Sequence, residues 1–121
     1  MTIKEDPLAI CKDVERLQPE MKIAVAQLAK VIDFRIVETY RSQERQDLLF
    51  ARGKSKTHNS KHKTGMAVDI YPVPIGYRAG PEEISRIHEQ WLEIAKNCGY
   101  PDTKLIGWDP LHLSLNDGVH R

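Results

Sequence analysis

Two short segments concentrate residue types that do chemistry at neutral pH. One is Ser60-Lys61-His62-Lys63-Thr64-Gly65-Met66-Ala67-Val68-Asp69, and the other is Trp108-Asp109-Pro110-Leu111-His112. Residues seven apart on one continuous strand point to opposite faces, so His62 and Asp69 meet only if the chain bends between them. Gly65 permits the bend, having no Cβ to resist a left-handed backbone. Pro110 acts similarly in the second segment: it cannot donate to a ladder, so it interrupts the strand and lets Asp109 and His112 approach one site. Together the segments offer two imidazoles and a carboxylate, the donor set of a catalytic zinc site whose fourth position is left to water. A closed structural site wants four ligands, commonly with cysteine, whereas Cys11 and Cys98 lie elsewhere and lack CxxC spacing. Asp109 is then free to serve as general base toward that water. A third segment, Tyr40-Arg41-Ser42-Gln43-Glu44-Arg45-Gln46, runs from a strand end into a helix. Arg41 at that junction can set a fixed positive charge against a developing oxyanion. Each residue also has a plainer use: Arg41 can pair with Glu38 or Glu44, Asp109 can cap a turn before Pro110, and His112 can be a core histidine.

The periodicity of the chain predicts the elements that must position these groups. Asp6 and Pro7 open a first helix carrying Leu8, Cys11 and Val14, and Pro19 restarts a second with Met21, Val25, Leu28, Ala29 and Ile32 on one face. From 34 to 40 the pattern alternates and is β-branched, which reads as a strand. Ser42 is placed to cap a helix over 43–52 that Gly53 stops. The stretch 53–65 is polar, basic and aperiodic, hence a loop, and 66–71 reads as a short strand ended by Pro72 and Pro74. Gly80-Pro81-Glu82-Glu83 opens the clearest helix, with acidic residues well placed against its dipole. Its stripe is Ile84, Ile87, Trp91, Ile94, Ala95 and Cys98, and Gly99 ends it. A last strand is expected over 105–115, broken by Pro110. This order predicts an α+β fold, a small, mainly antiparallel sheet with helices packed on it.

Beyond these arguments from residue type, Ser60-x-His62-x-x-Gly65-x-Ala67-x-Asp69, Asp109-x-x-His112 and Arg41-Ser42-x-x-x-Gln46 resemble the zinc peptidases of bacterial cell walls. That family includes D-alanyl-D-alanine carboxypeptidases and dipeptidases and the L-alanyl-D-glutamate endopeptidases of phage endolysins; its wider fold is shared with lysostaphin-type peptidases and the hedgehog domain. The resemblance runs from about Leu17 to Leu115. With Gly53-Lys54-Ser55-Lys56-Thr57 between the strand and helix segments and the His62 motif, it looks most like the endolysin branch. It implies Zn2+ held by His62, Asp69 and His112, Asp109 as catalytic base, and Arg41 polarising the scissile carbonyl. It further implies that Gln46 supports substrate or Arg41 and that Ser60 orders the His62 loop. Two positions depart from carboxypeptidase relatives: Ser114 stands where many carry an acid, and Thr39, preceded by Glu38, where many carry Gly or Ser. They bear on the substrate and leave every ligand in place. The expected function is a peptidoglycan stem-peptide peptidase, most simply an endolysin L-alanyl-D-glutamate endopeptidase. The alternatives are a D-alanyl-D-alanine carboxypeptidase and a zinc-stabilised wall-binding module without hydrolysis.

Composition fits this expectation. The 121 residues suit a single catalytic domain over 1–121, 40% hydrophobic and 29% charged, with a net charge of +1. That charge is far from the strongly basic balance of nucleic-acid binders, and no apolar run approaches a membrane span. The opening Met1-Thr2-Ile3-Lys4-Glu5-Asp6-Pro7 has no apolar core of the secretory type. The expectation is a monomer that partners peptidoglycan, without nucleic acid or stable membrane association, and stays cytoplasmic until host lysis. Cys11 and Cys98 are expected as buried free thiols on helix faces. His58 is expected as a solvated loop residue, His88 and His120 as structural or exposed, and the lysines of 52–63 as a solvated run.

Overall fold

The computed structural model describes residues 6–57, 60–74 and 79–117, and all statements below concern these. Three strands, β1 (Phe34–Glu38), β2 (Ala67–Pro72) and β3 (His112–Ser114), form one antiparallel sheet in the order β1-β2-β3. Three α-helices accompany it: α1 (Pro19–Ala29), α2 (Gln43–Ala51) and α3 (Pro81–Asn97). Short 3-10 turns occupy Val14–Arg16 and Lys61–Thr64. This is the α+β arrangement that the alternation of periods predicts.

Strand alternation separates core from site. Val68, Ile70 and Leu113 point to one face and join Met21, Ala24, Val25 and Leu28 of α1 and Ile87, Trp91 and Ala95 of α3 in one apolar cluster. Burying this stripe is what holds α3, since its outward residues are charged. Trp91, fully buried, donates its indole N–H to the Ser114 carbonyl at 2.8 Å, which fixes β3 against α3 as well as burying a ring. The opposite face presents Asp69 of β2 with His112 of β3 as its direct register partner. On the other side of Asp69 stands Glu38 of β1. The ladder runs Phe34–Pro72, Arg35–Tyr71, Ile36–Ile70 and then skips Val37, so that Glu38 pairs with Asp69. Two residues against one at that point is a β-bulge. Glu38, Asp69 and His112 therefore form one rung across the sheet.

Local details follow the sequence in part. Ser42 caps α2 by accepting from the Arg45 amide at 3.1 Å, and α3 begins with Gly80 before Pro81. The helix expected from Asp6 does not form. Asp6 caps a single turn, accepting from the Leu8 amide, and 6–10 are exposed, so an apolar face there has nothing to pack against. Cys11 consequently lies outside any helix and Cys98 at the C-cap of α3, and both are half-buried free thiols rather than buried ones. The stretch expected as loop contains the 3-10 turn Lys61–Thr64. The last strand shrinks to three residues because the 107–111 turn around Pro110 takes up its first half. Pro72, expected to end β2, is its final residue. Among the described residues no helix is long and apolar enough to cross a membrane.

Candidate metal centre

His62 reaches the sheet from the 3-10 turn Lys61–Thr64. Ser60 caps that turn, its buried hydroxyl accepting from the His62 amide at 3.2 Å. Gly65 ends it in the left-handed conformation, with φ +72°. A Cβ at Gly65 would lie 2.9 Å from the Arg16 carbonyl oxygen and 3.1 Å from the Gln18 nitrogen, so both the turn and the packing exclude a side chain. The bend inferred between His62 and Asp69 is thus a 3-10 turn closed by glycine.

The fully buried His62 ring donates from Nδ1 to the Thr39 carbonyl at 2.6 Å, leaving Nε2 as a lone-pair donor toward the rung. Nε2 lies 3.1 Å from Asp69 Oδ1 and 3.1 Å from His112 Nδ1, and His112 Nδ1 is 3.2 Å from Asp69 Oδ1. Three ligand atoms at such spacing form a near-equilateral triangle. Ligands about 2.0 Å from a tetrahedral zinc ion are about 3.3 Å apart, so the observed edges match one face of that tetrahedron to within a few tenths of an ångström. The orienting bond from a ring nitrogen to a backbone carbonyl is the usual support of a metal-ligating histidine. The residues present therefore fit a zinc ion held by His62, Asp69 and His112, the one group of this kind among the described residues. Burial works to raise the Asp69 carboxyl, but when the two imidazoles are protonated, hydrogen bonds from His112 and His62 and their charges outweigh it and hold it well below the usual carboxylate range.

A cavity of about 210 Å³ opens over this triangle, lined by Glu38, Arg41, Arg45, Lys54, Asp69, Trp108, Asp109 and His112 among others. Asp109 comes from the turn before β3, where its own carbonyl accepts from the His112 amide at 3.1 Å. Burial, and then repulsion from Asp69, push the Asp109 carboxyl above its ordinary value of 3.8, against the attraction of His112, His62 and Arg41. His88 of α3, half-buried, bonds the Pro110 carbonyl through Nε2 at 2.6 Å and so ties α3 to the same turn. His58 and His120 lie outside the described residues.

Arg41 is buried. Nη2 donates to Glu38 Oε1 at 2.7 Å and lies 3.6 Å from Asp69 Oδ2, while Nη1 donates to Gln46 Oε1 at 2.8 Å; the pair with Glu38 is formed. Gln46 is itself fully buried, its amide nitrogen donating to Ser55 Oγ and to the Thr57 carbonyl. Both ends of Gln46 are thus engaged with the protein, and it reaches the cavity through Arg41.

Sequence reasoning missed the central part of Glu38. This buried carboxylate accepts from Arg41 and, through its other oxygen, from Arg45 Nε, so one acid orders two arginines at the cavity wall. Burial raises its carboxyl, yet the bonds from Arg45 and Arg41 leave it below its ordinary value of 4.5. An acid at the end of the alternating strand Phe34–Glu38, three and seven residues before arginines, was the available signal.

Neither a protein-family profile nor a curated protein matches the sequence. The structure is similar to the crystal structure of Serratia marcescens L-Ala D-Glu endopeptidase ChiX, with a TM-score of 0.69 and 24% identity. The superposition covers 85% of this chain and 83% of that one. The two chains share this α+β fold.

Proposed function

We propose that this chain is a zinc-dependent peptidase of bacterial peptidoglycan that hydrolyses the L-alanyl-D-glutamate bond of stem peptides, as a phage endolysin does. The observation that carries the reading is the convergence of His62 Nε2, Asp69 Oδ1 and His112 Nδ1 at one point, where Asp69 and His112 line the same cavity as the carboxylate of Asp109. The fold shared with an L-Ala D-Glu endopeptidase supports the choice of substrate.

Each residue has a role in this reaction. A zinc ion held by His62, Asp69 and His112 would supply Lewis acidity toward water and the carbonyl. Asp109 takes the proton of the attacking water and returns it to the departing amine. Arg41, fixed by Glu38 and Gln46, sets its charge against the oxyanion. Gln46 and Ser60 act as positioning residues, one through Arg41 and the other through His62. In the same proposal the partner is peptidoglycan, the protein works as a monomer, and it stays cytoplasmic until the host lyses.

The test is mass spectrometry of purified wall fragments after incubation with zinc-loaded protein, with a chelated control. Chelator-sensitive release of peptides beginning with D-glutamate is expected. Loss of a terminal D-alanine would make it a carboxypeptidase instead, and wall binding without any product would make it a binding module.

A further inference from the structure

The polar side chains around the cavity are committed to neighbours almost one by one. Glu38 holds Arg41 and Arg45, Ser55 Oγ accepts from Gln46, and Ser60 Oγ accepts from the His62 amide. Asp69 and His112 belong to the metal triangle, and Asp109 is the proton acceptor. One charge is left over. Lys54 lines the cavity from its solvent-exposed edge, and its ammonium has no carboxylate partner among the described residues. Its backbone is nevertheless fixed. The Lys54 amide donates to the Leu49 carbonyl at 2.8 Å and the Ser55 amide to the same oxygen at 3.2 Å, directly after α2, and Ser55 is pinned in turn by Gln46. Lys56, two residues on, is occupied otherwise: its ammonium sits 4.8 Å from the centre of the exposed Trp108 ring at the cavity's edge, a cation–π contact that Lys54 lacks.

A cation at the exposed edge of a polar cavity, on a fixed backbone and without an internal counter-charge, is suited to an anion brought by the ligand. We propose that Lys54 is a specificity-determining residue that binds a free substrate carboxylate next to the scissile bond. This deepens the peptidase reading and rests on it. Of the two residues flanking an L-alanyl-D-glutamate bond, alanine has no acidic side chain. The glutamyl residue uses one of its two carboxyl groups to continue the peptide and keeps the other a few bonds from the scissile nitrogen. The substrate class is therefore the stem peptide with that carboxylate free, and the same peptide carrying a primary amide there is the poor substrate.

Two synthetic stem peptides that differ only in carboxylate or amide at this position test the assignment. Their kcat/KM values are measured with the wild-type zinc enzyme and with Lys54→Met and Lys56→Met. The wild type should favour the acid by about three- to tenfold, as for a single exposed charge-assisted contact. Lys54→Met should bring the ratio close to unity by lowering kcat/KM for the acid alone, and Lys56→Met should keep the preference. Equal rates in the wild type, or a preference that survives in Lys54→Met, would overturn the proposal. Calorimetric binding of both peptides to Asp109→Asn protein, with and without Lys54→Met, separates this from the peptidase reading. If the wild type cleaves neither peptide, that reading fails; tighter binding of the acid that vanishes in Lys54→Met still supports the site, and equal affinities overturn it.

Discussion

The Nδ1 proton of His62 is held by the Thr39 carbonyl across 2.6 Å, and this one bond decides which ring nitrogen faces Asp69 and His112. A main-chain acceptor cannot be lost by substitution, so the tautomer is set by the course of the backbone just after β1. The first prediction follows for metal content. The protein should bind one zinc ion per chain, and His62→Ala should weaken it by at least about 100-fold, the upper range seen even for supporting partners of such ligands. Competition against a chromophoric chelator reads both quantities. Unchanged affinity in His62→Ala would remove it from the ligand set.

Asp109→Asn should retain zinc and lose turnover by a factor of about 10² to 10⁴, the usual worth of a positioned proton acceptor. The raised carboxyl adds a second readout. A group whose folded pKa lies above its ordinary 3.8 favours folding below that value and loses its contribution as pH rises through the folded one. At neutral pH the half-buried carboxylate is therefore a cost, and metal-free Asp109→Asn should melt higher than metal-free wild type. A lower melting temperature would show that Asp109 is not strained by its surroundings.

Glu38→Gln should destabilise the protein by about 3 kcal/mol in urea titration, because it leaves two arginines at the cavity wall without their counter-charge. The pH dependence has the opposite sign to that of Asp109. The Glu38 carboxyl sits below 4.5 in the folded state, so its contribution is complete above pH 4.5 and fades as the pH falls through the lower folded value. The stability gap between wild type and Glu38→Gln should therefore narrow on acidification below pH 4.5. A gap independent of pH would assign the loss to packing.

Gly65 and Gly53 have nearly the same backbone angle, φ +72° and +70°, but different surroundings. Gly53→Ala meets nothing within 4 Å and should cost about 1 kcal/mol from the left-handed conformation alone. Gly65→Ala adds the clash with the Arg16 carbonyl and should cost about 3 kcal/mol, with weakened zinc binding because the turn carries His62. Equal costs would mean that the 16–18 segment yields freely.

The cluster of His62, Asp69 and His112 and the nearby Asp109 were legible because each lies in a short segment whose bend is announced by Gly65 or Pro110. The helices that bury a stripe, α1 and α3, were legible for the same kind of reason: the pattern and its packing partner are both local to the period. The helix expected from Asp6 shows the converse, since Leu8, Cys11 and Val14 have helical spacing but no surface to cover. Glu38 was hidden differently. Its importance comes from pairing across β1 and β2, and neither the register nor the skipped Val37 is written in the residue types of β1 itself. The commitment of Gln46 to Ser55 and Thr57 is of this kind too, a contact between a helix and a loop whose residues carry no mutual signal.

The bulge at Val37 makes the centre depend on strand register as well as on residue identity. In a strand, a slip of one residue turns every following side chain to the other face. If the ladder ran straight past Ile36–Ile70 with the chain unshortened, Val37 would stand opposite Asp69 and Glu38 opposite Val68. Every candidate functional residue would still be present in such a protein, and the acid that orders two arginines would point into the apolar layer. Deleting Val37 straightens the ladder the other way and leaves Glu38 opposite Asp69. Lineages of this fold should thus tolerate loss of Val37 more readily than loss of the bulge with every residue kept, and alignments that place a one-residue gap at Glu38 instead of Val37 would misplace the site.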